Sequence, residues 1–200
     1  MRNILVATAN LGKLHEIRAL LDLPGVTLIT PAMLGLNLIV EESGNSYAEN
    51  AELKALAFVR AAQQITLADD SGLEVDALGG LPGIHSARFS PLPGANDADR
   101  RKYLLEQLIG MVRPWTAHFH CTVALATPAG EVRFAEGECL GEIIPEERGE
   151  NCFGYDPIFL VSGTRRTMAE LSMEEKNQLS HRARAMKAAL PILLDLIGSE

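Results

Sequence analysis

A chain of 200 residues and 21.6 kDa has material for one hydrophobic core, or for a core with a small second lobe, and not for two full-sized enzyme domains. At 47% hydrophobic, 22% charged and 5% aromatic residues, the composition excludes disordered, collagen-like and low-complexity classes. Eighteen Lys and Arg against 26 Asp and Glu give a net charge of −8, which argues against a broad cationic footprint for nucleic acid or an anionic membrane. Any polyanionic ligand then needs a local basic pocket or a metal.

In chain order, residues 4–7 read as a short strand ending in the polar turn Thr8-Ala9-Asn10-Leu11-Gly12-Lys13. Leu11, Leu14, Ile17, Leu20 and Leu21 then recur at helical spacing. Residues 26–30 are a second strand and 31–36 a connector. Ser46-Tyr47-Ala48-Glu49 has the S-x-x-E pattern of a capping box, opening a helix to about Gln63 that buries Ala48, Ala51, Ala55, Phe58, Val59 and Ala62. Residues 65–68 form a short strand that delivers Asp69-Asp70-Ser71-Gly72 at its carboxyl end, where open α/β sheets place ligands. A Gly/Pro-rich loop at 79–83 leads to a helix from about Asp97 to Ile109.

From Trp115 the period becomes two, with Trp115, Ala117, Phe119, Cys121, Val123 and Leu125 alternating against Thr116, His118, His120 and Thr122, the pattern of a long half-buried strand. A turn at 128–131 leads into a strand from 132 to about 143, then a polar loop at 142–152 and a strand at 157–161. Ser172 with Glu175 makes a second capping box. The last helix begins near Ser180, turns Ala183, Met186, Leu190, Leu193, Leu194 and Ile197 inward, and is kinked or broken at Pro191. Alternation of strands and helices with a late hairpin predicts an α/β protein: a mixed twisted sheet with flanking helices and two lobes around a central cleft. It is read as a single domain over 1–200, the hairpin at about 115–143 contributing to the sheet of one lobe. The amino-terminal apolar run is too short for a signal-peptide core and no stretch approaches the roughly 20 apolar residues of a membrane span, so the expected compartment is the cytoplasm. Cys121, Cys139 and Cys152 show no CxxC spacing and read as packing residues.

Four constellations carry potential chemistry. Thr8-x-Asn10-x-x-Lys13 at a strand-to-helix junction is either a phosphate cradle or an ordinary helix cap with a solvated lysine. Glu41, Glu42, Asp69 and Asp70, with Glu74 and Asp76, belong to a segment at 37–76 holding eight acids against Lys54 and Arg60. They are either a solvated acidic face or a set of hard oxygens that would repel strongly without a divalent cation, for which Mg²⁺ is suited. Phe153-Gly154-Tyr155-Asp156-Pro157 is either a base-stacking loop or a turn whose aromatics pack into the core. Lys176 with Ser180-His181-Arg182, in the cationic stretch 163–190, is either a set of ligand donors at a helix start or a solvated helix face. His118 and His120 share a strand face, but no further ligand completes a metal site.

Together these pieces resemble the inosine triphosphate pyrophosphatase family. The resemblance rests on Ala7-Thr8-Ala9-Asn10-Leu11-Gly12-Lys13, Val40-Glu41-Glu42-Ser43-Gly44, Glu49-Asn50-Ala51, Leu67 through Asp76, Phe153-Gly154-Tyr155-Asp156-Pro157 and Glu175-Lys176-Asn177 to Ser180-His181-Arg182, in family order over nearly the whole chain. It implies a two-lobed mixed α/β fold, a homodimer, and Mg²⁺-dependent hydrolysis of ITP, dITP and XTP to the monophosphate and pyrophosphate. By the same resemblance Asp70 is the general base and, with Glu41, a metal ligand, supported by Asp69 and Glu42. Thr8, Asn10 and Lys13 are phosphate contacts, and Ser71, Phe153, Gly154, Tyr155, Asp156, Lys176, His181 and Arg182 are substrate contacts. Lys54 joins Lys13 in neutralising the leaving pyrophosphate. Ala9 departs from the glycine common at that place in the family. A pyrophosphatase for dTTP, UTP or modified pyrimidines, and a nucleotide sensor without turnover, are the competing readings; the adjacent Asp69 and Asp70 argue against the sensor.

Overall fold

Six strands form one sheet in the order β2-β1-β3-β4-β5-β6 in the computed structural model, which describes residues 2–150 and 153–198. The strands are β1 (Arg2–Val6), β2 (Val26–Ile29), β3 (Thr66–Val75), β4 (Trp115–Ala126), β5 (Val132–Ile143) and β6 (Phe159–Val161). β1 is parallel to β2 and β3, while β6 runs antiparallel to β5, so the sheet is mixed as expected. The helices are α1 (Leu11–Leu20), α2 (Tyr47–Ala62), α3 (Asp97–Gln107), α4 (Met173–Leu179) and α5 (His181–Gly198). Among the described residues no helix is long and apolar enough to cross a membrane. Cys152 lies outside the described residues; Cys121 and Cys139 are buried, as packing residues are.

The chain divides into two compact units. The first holds the residues up to Asp70, Cys121–Gly137 and the chain from Arg182 on; the second holds Ser71–His120 and Glu138–His181. The hairpin of β4 and β5 thus gives its tip to the first unit and its two roots to the second.

Parity along the strands builds the first unit in three layers. Ile4 and Val6 of β1, Leu67 of β3 and Cys121, Val123 and Leu125 of β4 share a core with Ile17 of α1 and with Ala185, Met186, Ala189 and Leu193 of α5. Leu5, Ala7, Ala68, Ala124 and Ala126 face the other way, onto Ala51, Ala55, Phe58 and Val59 of α2. The connections from β1 to β2 and from β2 to β3 pass through α1 and α2, which pack on opposite sides of the sheet. The second unit has one core, in which Leu73 and Val75 of β3, Trp115, Ala117 and Phe119 of β4, Leu104 of α3, Cys139, Ile143, Ile158 and Phe159 pack together.

These layers account for the departures from the sequence reading. β4 alternates only where one of its faces is open. Thr116 is exposed and His118 and His120 are half-buried, but every residue from Cys121 to Ala126 is buried, because helices cover both faces there. The strand expected to stop at Ala68 continues through the two aspartates to Val75, so Asp69 and Asp70 lie inside β3 and not beyond its carboxyl end. Leu73 and Val75 have a core to enter, and that core extends the strand. The strand expected at 157–161 is shortened by a 3-10 turn at Asp156–Ile158. α5 is continuous through Pro191, which is exposed together with Leu194. Proline removes the hydrogen bond to residue 187, and Lys187 is on the exposed side of the helix. Leu194, expected inward, is half-exposed for the same reason of face.

The caps carry the helices that matter for the site. Ser172 Oγ accepts from the Glu175 amide at 3.2 Å and the Glu175 carboxylate accepts from the Ser172 amide at 2.9 Å, the expected reciprocal box at the start of α4. At α2 only half of the box forms: Ser46 Oγ accepts from the Glu49 amide at 3.1 Å, but Glu49 turns to the Asn45 amide at 2.7 Å. A third box, Asn96 with Asp99, opens α3 and was not read from the sequence.

Candidate active site

Neighbouring residues of a strand point to opposite faces, and this separates the two aspartates of β3. Asp69 follows the parity of Leu67 and faces α1 and α5; Asp70 follows Ala68 and faces α2. The two adjacent aspartates therefore do not face a common point. Among the described residues, no group of three or more His, Cys, Asp or Glu side chains gathers in metal-binding geometry.

On the Asp69 side, Lys13 of α1 places Nζ 3.0 Å from Asp69 Oδ2, and Arg182 at the start of α5 donates Nε to the same oxygen at 3.2 Å. Arg182 Nη1 also donates to Glu16 of α1. Asp69, Glu16 and Arg182 are all buried. Burial alone would raise the Asp69 pKa, but Lys13, Arg182 and Lys54 outweigh it and hold the carboxyl well below the usual carboxylate range. Burial likewise opposes the charge on Arg182, and Asp69 and Glu16 more than restore it. Beneath them the Cys121 thiol, 4.0 Å from Asp69 Oδ2, is pushed up to about 12 by burial and by the Asp69 charge, so it is protonated and inert. Arg182, expected among the substrate contacts, has its guanidinium engaged by two buried acids.

On the Asp70 side the chemistry differs. Asn50 Nδ2 donates to Asp70 Oδ2 at 3.1 Å, and Lys54 Nζ stands 3.9 Å from Asp70 Oδ1. Asn50 and Lys54 are one turn apart on α2 and so share a face. Lys54 Nζ also donates to Glu42 Oε1 at 2.8 Å and to the Asp69 carbonyl. Burial would lower the Lys54 pKa, but Asp69, Asp70 and Glu42 hold it above its ordinary value, so the ammonium is charged. The Asp70 pKa moves up: burial raises it, and the offsetting charges of Lys54 and Lys13 are countered in part by Glu42. A buried acid whose pKa is raised, with the Lys54 ammonium beside it, is chemically able to accept a proton. Glu42 is turned inward to Lys54, whereas Glu41 is exposed.

The Thr8 to Lys13 segment forms a helix cap, but without the solvated lysine of that alternative. Asn10 Oδ1 accepts from the Lys13 amide at 3.1 Å and Thr8 Oγ1 from the Asn10 amide at 3.1 Å, which is ordinary capping. The lysine is not solvated, since its side chain is only 15% exposed against Asp69.

In the second unit, Asp156 and Lys176 form a buried pair at 2.8 Å, which rules out a solvated face for Lys176. His181 is buried with its ring stacked on Phe119, centroids 4.7 Å apart and planes 16° from parallel. Gly154 has φ +55° and both its backbone groups are held from α3, the amide by Asp97 at 2.8 Å and the carbonyl by Arg101 at 2.9 Å. Tyr155 packs in the core and donates its hydroxyl to the Ser86 carbonyl at 2.9 Å, so it behaves as a packing residue. Phe153 and Ser71 are half-buried. His118 and His120 sit 3.4 Å from Glu74 and Glu138 respectively.

Two site residues escaped the sequence reading of roles. Glu16 is buried as the partner of Arg182, and Asn50 is fully buried on the apolar face of α2. The signal for Asn50 was a primary amide within the stripe Tyr47, Ala51, Ala55 and Phe58, where an unpartnered polar group would be costly.

Residues 4–192 match the Ham1 family. A dITP/XTP pyrophosphatase of Desulforamulus reducens is 46% identical over 191 residues, covering 95% of this chain and 94% of that protein. The dITP/XTP pyrophosphatase of Bacillus subtilis is 41% identical over 194 residues, covering 96% and 98%. Among solved structures, a HAM1 protein from Coxiella burnetii superposes with a TM-score of 0.88 at 37% identity, covering 98% of this chain and 100% of that one.

Proposed function

The chain belongs to the Ham1 family, and from that premise we propose that it hydrolyses non-standard purine nucleoside triphosphates, ITP, dITP and XTP, to the monophosphate and pyrophosphate. The observation that carries the reading is Asp70: a buried carboxyl with a raised pKa, faced by Lys54 and influenced by Lys13. Asp70 orients a water toward the α-phosphorus and takes its proton, while Lys13 and Lys54 balance the charge that develops on the leaving pyrophosphate. Thr8 and Asn10 hold the phosphate-side turn in register with Lys13.

The donor set fits Mg²⁺. Asp70 is a buried hard-oxygen donor short of positive charge, Glu41 is a second carboxylate open to solvent, and one or two carboxylates completed by water and phosphate oxygens are the usual protein share for this ion. When bound there, Mg²⁺ supplies positive charge to the phosphoryl oxygens. Asp69, neutralised by Lys13 and Arg182, holds the scaffold under the site and is no ligand in this reading.

For the base we assign Ser71, Phe153, Gly154, Asp156, Lys176 and His181 as contacts, with Tyr155 and Arg182 acting through the packing they maintain. Donors that meet a 6-oxygen are left unpaired by the amino group of adenine, which discriminates by about 10⁴-fold or more where the site is buried. The reading also includes a homodimer and a cytoplasmic location beside the nucleotide pool. The deciding measurement is pyrophosphate release from ITP, XTP, GTP, ATP and dTTP with and without Mg²⁺. Turnover of ITP and XTP that needs Mg²⁺ is expected; equal turnover of ATP and ITP would sink the specificity. Light scattering tests the dimer against the 21.6 kDa chain mass.

A further inference from the structure

Asp70 has to present one particular oxygen to the reacting water, and burial by itself does not choose a rotamer. The structure shows what does. Asn50 is 0% exposed, and its two amide atoms look in opposite directions. Oδ1 accepts from the Gly44 amide at 2.9 Å, and Nδ2 donates to Asp70 Oδ2 at 3.1 Å. The Gly44 N–H can only donate, so it fixes the amide with oxygen toward residue 44 and nitrogen toward Asp70. Asp70 is then met by a donor that demands an acceptor, which holds Oδ2 in place and leaves Oδ1 on the side of Lys54.

The approach of the segment before α2 is built for this bond. A Cβ on Gly44 would come within 2.7 Å of Glu49 Cβ and 2.8 Å of Asn50 Oδ1, so only glycine lets the backbone close on the amide. Two residues upstream, Glu42 bonds Lys54. One face of α2 thus ties the acidic segment to the strand twice, through Lys54 by charge and through Asn50 by a neutral amide of fixed polarity.

We propose that Asn50 is a positioning residue for the general base: through the Gly44-Asn50-Asp70 chain it sets the Asp70 carboxylate and locks the Glu41/Glu42 segment to it. The proposal rests on the functional reading above, with Asp70 as base. It requires no contact between Asn50 and nucleotide, so its loss is expected in kcat and not in KM.

The test uses the full chain with Mg²⁺ and ITP, comparing wild type, Asn50→Leu and Asn50→Asp, with hydrogen exchange at the Gly44 amide followed in the absence of nucleotide and metal. Asn50→Asp keeps an acceptor for Gly44 and replaces the amide donor to Asp70 with a second carboxyl group. It is expected to lower kcat by about 10- to 100-fold, the range of one hydrogen bond to a charged group, with KM little changed and the Gly44 amide still protected. Asn50→Leu should lose as much in kcat and also release the Gly44 amide to fast exchange. The Asp variant preserves the test if the Leu variant does not fold. A kcat for Asn50→Asp within about twofold of wild type overturns the proposal, as does a loss confined to KM, which would make Asn50 a nucleotide contact. A wild-type chain that hydrolyses no triphosphate overturns the functional reading; a silent Asn50→Asp beside an active wild type overturns only this proposal.

Discussion

Asp69 and Asp70 share a side-chain type and differ by one position, yet their environments are opposite because strand parity sends them to opposite faces. Cations outweigh burial at Asp69 and lower its pKa, whereas at Asp70 burial prevails and the pKa is raised. For Asp70 the sign of the linkage is unfavourable. A carboxyl whose pKa is raised by folding contributes stability below its unfolded value of about 3.9, and that contribution is lost as pH rises through the higher folded value. At neutral pH the ionised group therefore costs stability. Asp70→Asn is expected to raise the thermal midpoint at pH 7 while lowering turnover by about 10²-fold or more, measured by calorimetry and pyrophosphate release on the same preparation. A lowered midpoint would show that the charge on Asp70 supports the fold.

At the scale of elements, two short-range devices hold candidate residues, the cap of α2 in the first unit and the cap of α4 in the second. α2 carries Asn50 and Lys54; α4 carries Lys176. Ser172→Ala removes the oxygen that accepts from the Glu175 amide and Ser46→Ala the one that accepts from the Glu49 amide, and each is expected to cost about 1 kcal/mol in urea unfolding. An unchanged unfolding free energy in either variant would show that its cap contributes nothing. Both caps were legible because a cap is a local pattern of three or four residues. The extent of β3 was not, because its last residues are held by the core that Leu73 and Val75 enter, made with residues 30 and more positions away. The alternation of β4 was legible up to Cys121 and then vanished, because a strand covered on both faces has no solvent side to mark its period.

At the scale of the molecule, the acidic block at 37–76 is only in part a solvated face, with Glu41, Glu49 and Asp76 exposed. Asp69, Asp70 and Glu42 are drawn into the first unit and met by Lys13, Lys54 and Arg182, two of which come from outside the block. Acid should loosen this arrangement. Because Asp69 has a depressed pKa in the folded state, its ion pairs contribute fully above the unfolded value of about 3.9 and their contribution fades as pH falls toward the lower folded value. Asp69→Asn should accordingly be less stable than wild type at pH 7 by about 3 kcal/mol or more, since Lys13 and Arg182 lose a buried partner. The difference should shrink as unfolding is repeated below about pH 4. A difference that stayed constant with pH would assign the loss to packing.

The class of fold, the helix starts, the family and the residue types of the site were all determined by the sequence, since each rests on short-range pattern or on ordered blocks of residues. Tertiary structure alone decided the opposite surroundings of two adjacent aspartates, with the pKa of Asp69 lowered by its cations and that of Asp70 raised by burial. It also decided that Arg182 serves Asp69 and Glu16, and that a glycine, an asparagine and an aspartate at 44, 50 and 70 act as one chain of hydrogen bonds. The physical reason is that charge and hydrogen-bond partners are chosen by proximity across layers, and the face a residue presents to those layers depends on where the strand begins and ends.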